Sequence, residues 1–216
     1  MQITEVKTIG ILGAGRVGTA IARRAIAAGY AVKIATSKAP AEIALLLEIM
    51  VPGAMAASAQ EVIAESDIMI LALPLSKYRE LQPELLASKI VIDAMNYWAP
   101  TDGTIAEFET ETSSSEVVQN FLSQSRLVRS FNHMGYHEID EEARPKGDSE
   151  RRALAIAGND MGARQSVAQF IDRIGFDPVD AGPLASSRLF TTGTPVFGAS
   201  LTRDDMVELF ALKQAV

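Results

Sequence analysis

Short, nearly unbroken apolar runs alternate along this chain with longer stretches in which apolar residues recur every three or four positions. The runs are Ile9–Leu12, Ala31–Ala35, Ala54–Ala57, Asp67–Leu73, Lys89–Asp93, Leu127–Phe131, Ala153–Ala157 and Pro178–Ala181. Such runs, bounded by turn residues, are the pattern of strands buried on both faces. The intervening periodicity predicts helices over Thr19–Ala28, Ala41–Met50, Gln60–Glu65, Ser76–Ala87, Ser113–Ser123 and Met161–Arg173. Pro52-Gly53 ends the second of these, and the serines at 113–115 are candidate caps for the fifth. Ala94–Glu111 follows no regular pattern but carries aromatic residues. Asn132–Glu150 is polar, contains Pro145 and Gly147, and predicts a long loop. Strand and helix in alternation predict one mostly parallel, doubly wound α/β sheet. At 216 residues, without repeats or a Gly/Ser linker, the chain reads as one domain, with a C-terminal extension over about 183–216.

The first strand runs straight into Gly13-Ala14-Gly15-Arg16-Val17-Gly18, and an alanine-rich amphipathic helix follows. Strand, G-x-G-x-x-G turn and helix form the geometry that binds a dinucleotide pyrophosphate, so the sheet is expected to be of Rossmann type. Gly13 permits the tight turn, Gly15 lets the backbone approach the phosphates, and Gly18 lets helix and strand pack closely. The helix N-terminus offers unpaired N–H groups to the anion. An NAD site places an acid at the end of the second strand to hold the ribose 2′-OH. Here that position reads Thr36-Ser37-Lys38, with no acid before Glu42. Hydroxyls and a lysine suit a 2′-phosphate, which makes NADP the expected cofactor. The bland reading makes Ser37 a helix cap and Lys38 a solvated charge. The nicotinamide is expected beyond the strand ends, near Leu73-Pro74-Leu75 and Ala94-Met95-Asn96.

Composition narrows the rest. Hydrophobic residues make up 48% of the chain, enough for a sizeable core. A net charge of −7 without a Lys/Arg cluster argues against a nucleic-acid or anionic-membrane partner. The lack of cysteine excludes disulfide and thiolate chemistry. No apolar run approaches the roughly 18 residues that span a bilayer. Met1–Lys7 leads directly into the first strand and leaves no space for a signal peptide, so a cytoplasmic location is expected.

Candidate chemistry is sparse. No Tyr-x-x-x-Lys occurs, and the two histidines, His133 and His137, lie four apart in one segment. That spacing suits a metal only on a regular helix, and Gly135 interrupts it, so no metal is expected. Asn132 and His133 follow a buried strand, where ligands bind, and are the candidate catalytic pair. Around them Tyr97, Trp98, His133, Met134, Gly182 and Pro183 are candidate walls of an acceptor site. A competing reading has Trp98 plug the core and His133 serve only the backbone.

These residues resemble a family, the NADP oxidoreductases dependent on the deazaflavin coenzyme F-420. The resemblance rests on the strand–glycine–helix unit, Thr36-Ser37-Lys38, the strand ending Ala72-Leu73-Pro74, and the tail Asp180-Ala181-Gly182-Pro183-Leu184 with Ser187-Arg188-Leu189. It implies a compact reductase, often a homodimer, that stacks nicotinamide on a deazaflavin ring. The fold is similar to the reductase domain of the membrane ferric reductases, which pass hydride from NADPH to a flavin. The expected activity is hydride transfer between NADP(H) and a deazaflavin, coenzyme F-420, or another flavin-like acceptor. Such a transfer needs positioning more than an acid–base pair. Two other readings stand beside it: reduction of a small carbonyl or imine, with His133 or Tyr97 as proton donor, and a non-catalytic NADP-sensing module.

Overall fold

A computed structural model describes residues 6–110 and 112–214. The expectation for Met1–Lys7 therefore falls largely outside the described residues. Eight strands form one sheet: β1 (Thr8–Leu12), β2 (Ala31–Ala35), β3 (Met55–Ala56), β4 (Ile68–Leu71), β5 (Ile90–Asp93), β6 (Arg126–Arg129), β7 (Ala153–Gly158) and β8 (Asp177–Asp180). Their order across the sheet is β3-β2-β1-β4-β5-β6-β7-β8. The helices are α1 (Arg16–Ala27), α2 (Pro40–Met50), α3 (Ala59–Glu65), α4 (Ala99–Asp102), α5 (Ser114–Phe121), α6 (Tyr136–Glu141), α7 (Met161–Ile174) and α8 (Arg203–Gln214).

The unbroken apolar runs are strands buried on both sides. In β4, Ile68 and Ile70 enter one core with Ile21 and Ala22 of α1 and Val167 and Phe170 of α7. Met69 and Leu71 enter the opposite core with Val62 and Ile63 of α3 and Val118 of α5. In β7, Leu154 and Ile156 join the first core. Its alternate residues Ala153, Ala155 and Ala157 meet Phe190, Val196, Met206 and Phe210 in a third. The expected extension is thus the cover over β7 and β8.

Three local expectations change. The helix expected over Ser76–Ala87 is a 3-10 turn, Leu75–Glu80, followed by irregular chain. Pro83 explains this, since it has no N–H and its ring would clash with the carbonyl four residues back. The expected loop Asn132–Glu150 contains α6, whose Glu138 carboxylate accepts the Gly135 N–H at 2.6 Å. The third change governs the site. Strands β1, β2, β4, β5 and β6 run parallel, but β7 pairs with β6 antiparallel, and β8 follows β7. The chain between β6 and β7 forms α6 beside α1 and turns back, instead of crossing the sheet as a parallel return requires. The far ends of β7 and β8 consequently lie on the edge opposite the other strands' C-terminal ends.

Candidate active site

In an open parallel sheet, ligands bind beyond the C-terminal strand ends where the winding reverses, here between β1 and β4. Each glycine of the turn after β1 has its own physical reason. Gly13 has φ +118°, and a Cβ there would lie 2.3 Å from the Ala72 carbonyl oxygen. A Cβ on Gly18 would lie 2.2 Å from the Gly13 carbonyl oxygen, so α1 closes on the turn only without one. A Cβ on Gly15 would meet nothing within 4 Å. The Thr19 N–H donates to the Gly15 carbonyl at 3.0 Å, and the amides of Arg16, Val17 and Gly18 have no acceptor within α1. No side chain caps this terminus and no acid occupies its first turn, so its positive dipole end is available to an anion.

A cleft of about 510 Å³ extends from this turn, lined by Gly13, Ala14, Gly15, Thr36, Ser37, Lys38, Leu73 and Pro74 among others. Thr36 Oγ1 accepts the Lys38 N–H at 3.1 Å and shapes the turn after β2. Ser37 does not cap α2: the N-cap is Ala39, whose N–H donates to Glu42 at 2.9 Å. Ser37 and Lys38 are exposed at the cleft, and neither side chain has a hydrogen-bond partner among the described residues. An uncapped helix end, an open glycine and a free hydroxyl–lysine pair fit a dinucleotide with a 2′-phosphate. Arg16 stands beside the turn with its guanidinium 5.2 Å from the centre of the Tyr136 ring. Leu75, Ala94 and Met95, expected against the nicotinamide, are buried in the cores and are absent from the lining.

At the ends of β5 and β6, Asp93 and Arg129 stand opposite each other in register and are both buried. Arg129 Nη1 lies 3.9 Å from Asp93 Oδ2, and the Ser115 hydroxyl donates to the same oxygen at 2.5 Å. Nη1 also donates to Ser114 and Ser115 at 3.0 and 2.8 Å, and Nη2 to Asn96 Oδ1 at 3.3 Å. With its amide oxygen turned toward the guanidinium, Asn132 accepts from Nη2 and Nε at 2.5 and 2.8 Å. All five N–H groups of Arg129 are then committed. Burial pushes the Asp93 carboxyl upward, against the downward pull of Arg129, Ser115 and the Met95 amide.

The knot forms one wall of a second cavity of about 860 Å³, beyond β5 on the same edge as the cleft. Tyr97 and Phe108, whose ring centroids are 5.3 Å apart with planes tilted by 39°, give it an apolar side. Asn96, Thr110, Thr112, Ser113, Ser114, Thr191 and Thr192 surround it with polar groups. Tyr97 is not free to donate elsewhere, because its hydroxyl bonds Glu109 at 2.6 Å and Gly103 at 3.1 Å.

Several expected site residues lie elsewhere. His133 is 1% exposed, its ring 5.2 Å from that of Phe190, and its Nε2 accepts the Ala155 N–H at 3.1 Å. Burial, reinforced by the Arg152 and Arg129 cations, pushes its pKa down to about 3. Buried and lining neither cavity, this imidazole does not reach a substrate. Asn132 is buried as an acceptor for Arg129 and, through its carbonyl, for Asn96 at 2.6 Å, so it positions the wall instead of meeting the reaction. Met134 packs in the first core. Gly182 and Pro183 lie on the opposite sheet edge, where the Gly182 carbonyl accepts the Gly158 N–H. Trp98 neither plugs the core nor lines the cavity; it is 55% exposed. His137 is exposed on α6 while His133 is buried, so the two share no face. Sequence reading missed Asp93, Arg129, Ser114, Ser115, Arg188, Thr191 and Thr192. The signal for the first two was a charged residue at the C-terminal end of each of two buried strands. The others sit on segments whose position only the fold sets.

Fold and cleft define a dinucleotide-binding α/β protein. Residues 8–97 match the family described as NADP oxidoreductase, coenzyme F420-dependent. The match ends at Tyr97, before the Asp180–Leu184 tail on which the sequence resemblance partly rests. The chain is 31% identical over 140 residues to the F420-dependent NADP reductase of Methanocaldococcus jannaschii, covering 61% of this chain and 60% of that protein. It is 27% identical over 186 residues to the metalloreductase STEAP3 of Rattus norvegicus, covering 85% of this chain and 36% of the relative. The chain thus spans less than two thirds of the length of either relative. A hypothetical protein from Sinorhizobium meliloti shares the fold with a TM-score of 0.79 and 27% identity over 91% of this chain and 95% of that one. Among the described residues, no helix is long and apolar enough to cross a membrane.

Proposed function

We propose that this protein is an NADPH-dependent reductase that delivers hydride to a flavin-like or deazaflavin ring. The observation that carries the reading is the placement of two cavities on one sheet edge. The glycine-turn cleft lies at β1 and β4, and the aromatic-walled cavity lies beyond the neighbouring β5. NADPH, when bound, supplies the hydride. Gly13, Gly15 and the first turn of α1 hold its pyrophosphate, Ser37 and Lys38 hold its 2′-phosphate, and Leu73 and Pro74 give its ring an apolar edge. Tyr97 and Phe108 offer the acceptor ring an apolar surface, and Asn96 stands at the cavity wall. Among the described residues that line the cavity, none is an evident proton donor, since the Tyr97 hydroxyl is engaged by Glu109 and Gly103, and this favours ring-to-ring transfer over carbonyl or imine reduction. A homodimer is part of the same proposal and rests on the family resemblance.

The test is anaerobic NADPH oxidation with coenzyme F-420, riboflavin, FMN, a small ketone and a cyclic imine, with sedimentation for the oligomer. Turnover with a flavin or deazaflavin is expected. Turnover with the ketone or imine alone would replace this reading with the carbonyl–imine one. Binding of NADPH without any turnover would favour a sensing module.

A further inference from the structure

We propose that the second cavity recognises an oxyanion on the acceptor, and that Arg188 is the residue that selects for it. The inference rests on the reading of this cavity as the acceptor site. Two arginines line the cavity, and they differ in what they can offer a ligand. Arg129 has the deeper charge, yet its five N–H groups are spent on Ser114, Ser115, Asn96 and Asn132, and Asp93 balances it. Arg188 is exposed, and its one hydrogen bond runs from Nε to the Ala185 carbonyl at 3.1 Å. Its two terminal nitrogens have no partner among the described residues, which leaves a planar pair of donors suited to a phosphate or carboxylate.

The groups around Arg188 fit the same ligand. Thr191 and Thr192 follow it in the chain, and Ser113 and Ser114 face the cavity from the start of α5. The threonine and serine hydroxyls can donate to an anion, while the end of α5 itself is already capped by Ser113 and Glu116. Among the described lining residues the one acid is Glu109, and its Oε1 is engaged by the Tyr97 hydroxyl. Asn96 and Tyr97 line the β5 side, nearest the cleft, whereas Arg188 belongs to the segment that returns after β8. An acceptor with a flat ring and an anionic side chain would thus place the ring against Tyr97 and the anion at Arg188.

Riboflavin, FMN and N10-carboxymethylflavin carry one ring with no anion, a phosphate and a carboxylate. Binding to the NADP+-loaded protein can be followed by fluorescence of Trp98, the one tryptophan in the sequence, and turnover by NADPH oxidation. The wild type is expected to prefer FMN to riboflavin by about tenfold in Kd and KM, a preference that shrinks as salt rises. Arg188→Gln should collapse the FMN-to-riboflavin ratio toward one, and Arg188→Lys should restore part of it. The carboxymethyl analogue tells which oxyanion the site prefers: matching FMN means any oxyanion suffices, and matching riboflavin means phosphate is required. Equal affinity of wild type for riboflavin and FMN, a ratio unmoved by Arg188→Gln, or no binding of any flavin overturns the proposal. Arg188-dependent FMN binding without turnover would leave the anion site standing and remove hydride transfer to flavins.

Discussion

A Cβ on Gly15 would enter open space, whereas one on Gly13 or Gly18 would strike a carbonyl oxygen within 2.3 Å. The three positions therefore predict different failures. Gly15→Val should keep its circular dichroism and melting temperature while NADPH binding is lost, because the new side chain occupies the phosphate path. Calorimetric titration checks this, and binding at wild-type strength would place the phosphates elsewhere. His133 predicts a pH effect on stability. Its folded pKa is depressed to about 3 from an ordinary 6.5, so the folded chain binds fewer protons than the unfolded chain between those values. Stability is fully present above about pH 6.5 and falls as the pH drops through this window. At pH 5.5 the loss from this group is about 1.4 kcal/mol. Thermal melts from about pH 8 to 5.5 should show it, and His133→Gln should flatten the slope. A slope unchanged in that variant would show that His133 is not its source.

At the scale of the element, the ends of β5 and β6 are tied by the Asp93–Arg129 pair, with α5 docked on it through Ser114 and Ser115. Removing one partner strands the other charge in the interior. Asp93→Ala should cost about 3–5 kcal/mol, while Asp93→Asn, which keeps hydrogen-bonding groups at that place, should cost less. Urea midpoints at constant slope measure both, and a near-neutral Asp93→Ala would mean that water reaches Arg129. The helical elements show where local signals suffice. α5 was legible because Ser113 and Glu116 form a reciprocal cap, Ser113 Oγ accepting the Glu116 N–H at 3.3 Å and Glu116 Oε2 the Ser113 N–H at 3.0 Å. α6 was not, because its one clear local signal is Glu138 folding back on a glycine within a polar stretch.

For the whole molecule, nucleotide binding and folding are linked, since a ligand that binds only the folded chain raises its stability. NADP+ at 100 times its Kd should add about 2.7 kcal/mol, and NAD+ at the same concentration distinctly less. Lys38→Ala should weaken NADP+ by about 1.5–3 kcal/mol and leave NAD+ little changed. Thermal shifts with both nucleotides on both proteins check this, and equal shifts in the wild type would defeat the NADP assignment. The strands, their burial on two faces, the glycine turn and the absence of an acid after β2 were legible in the sequence, because apolar periodicity and backbone demands are written residue by residue. The direction of β7 was not, because strand pattern carries no sign: an apolar run reads the same whether it joins its neighbour parallel or antiparallel. That reversal moved Gly182 and Pro183 to the far edge and brought Ala155 onto His133. Arg188 reached the cavity because the segment after β8 returns across the sheet. Local sequence determined the glycine-turn cleft, whose parts lie close to a few strand ends, while the second cavity joins residues from 96 to 192 and was decided only by tertiary packing.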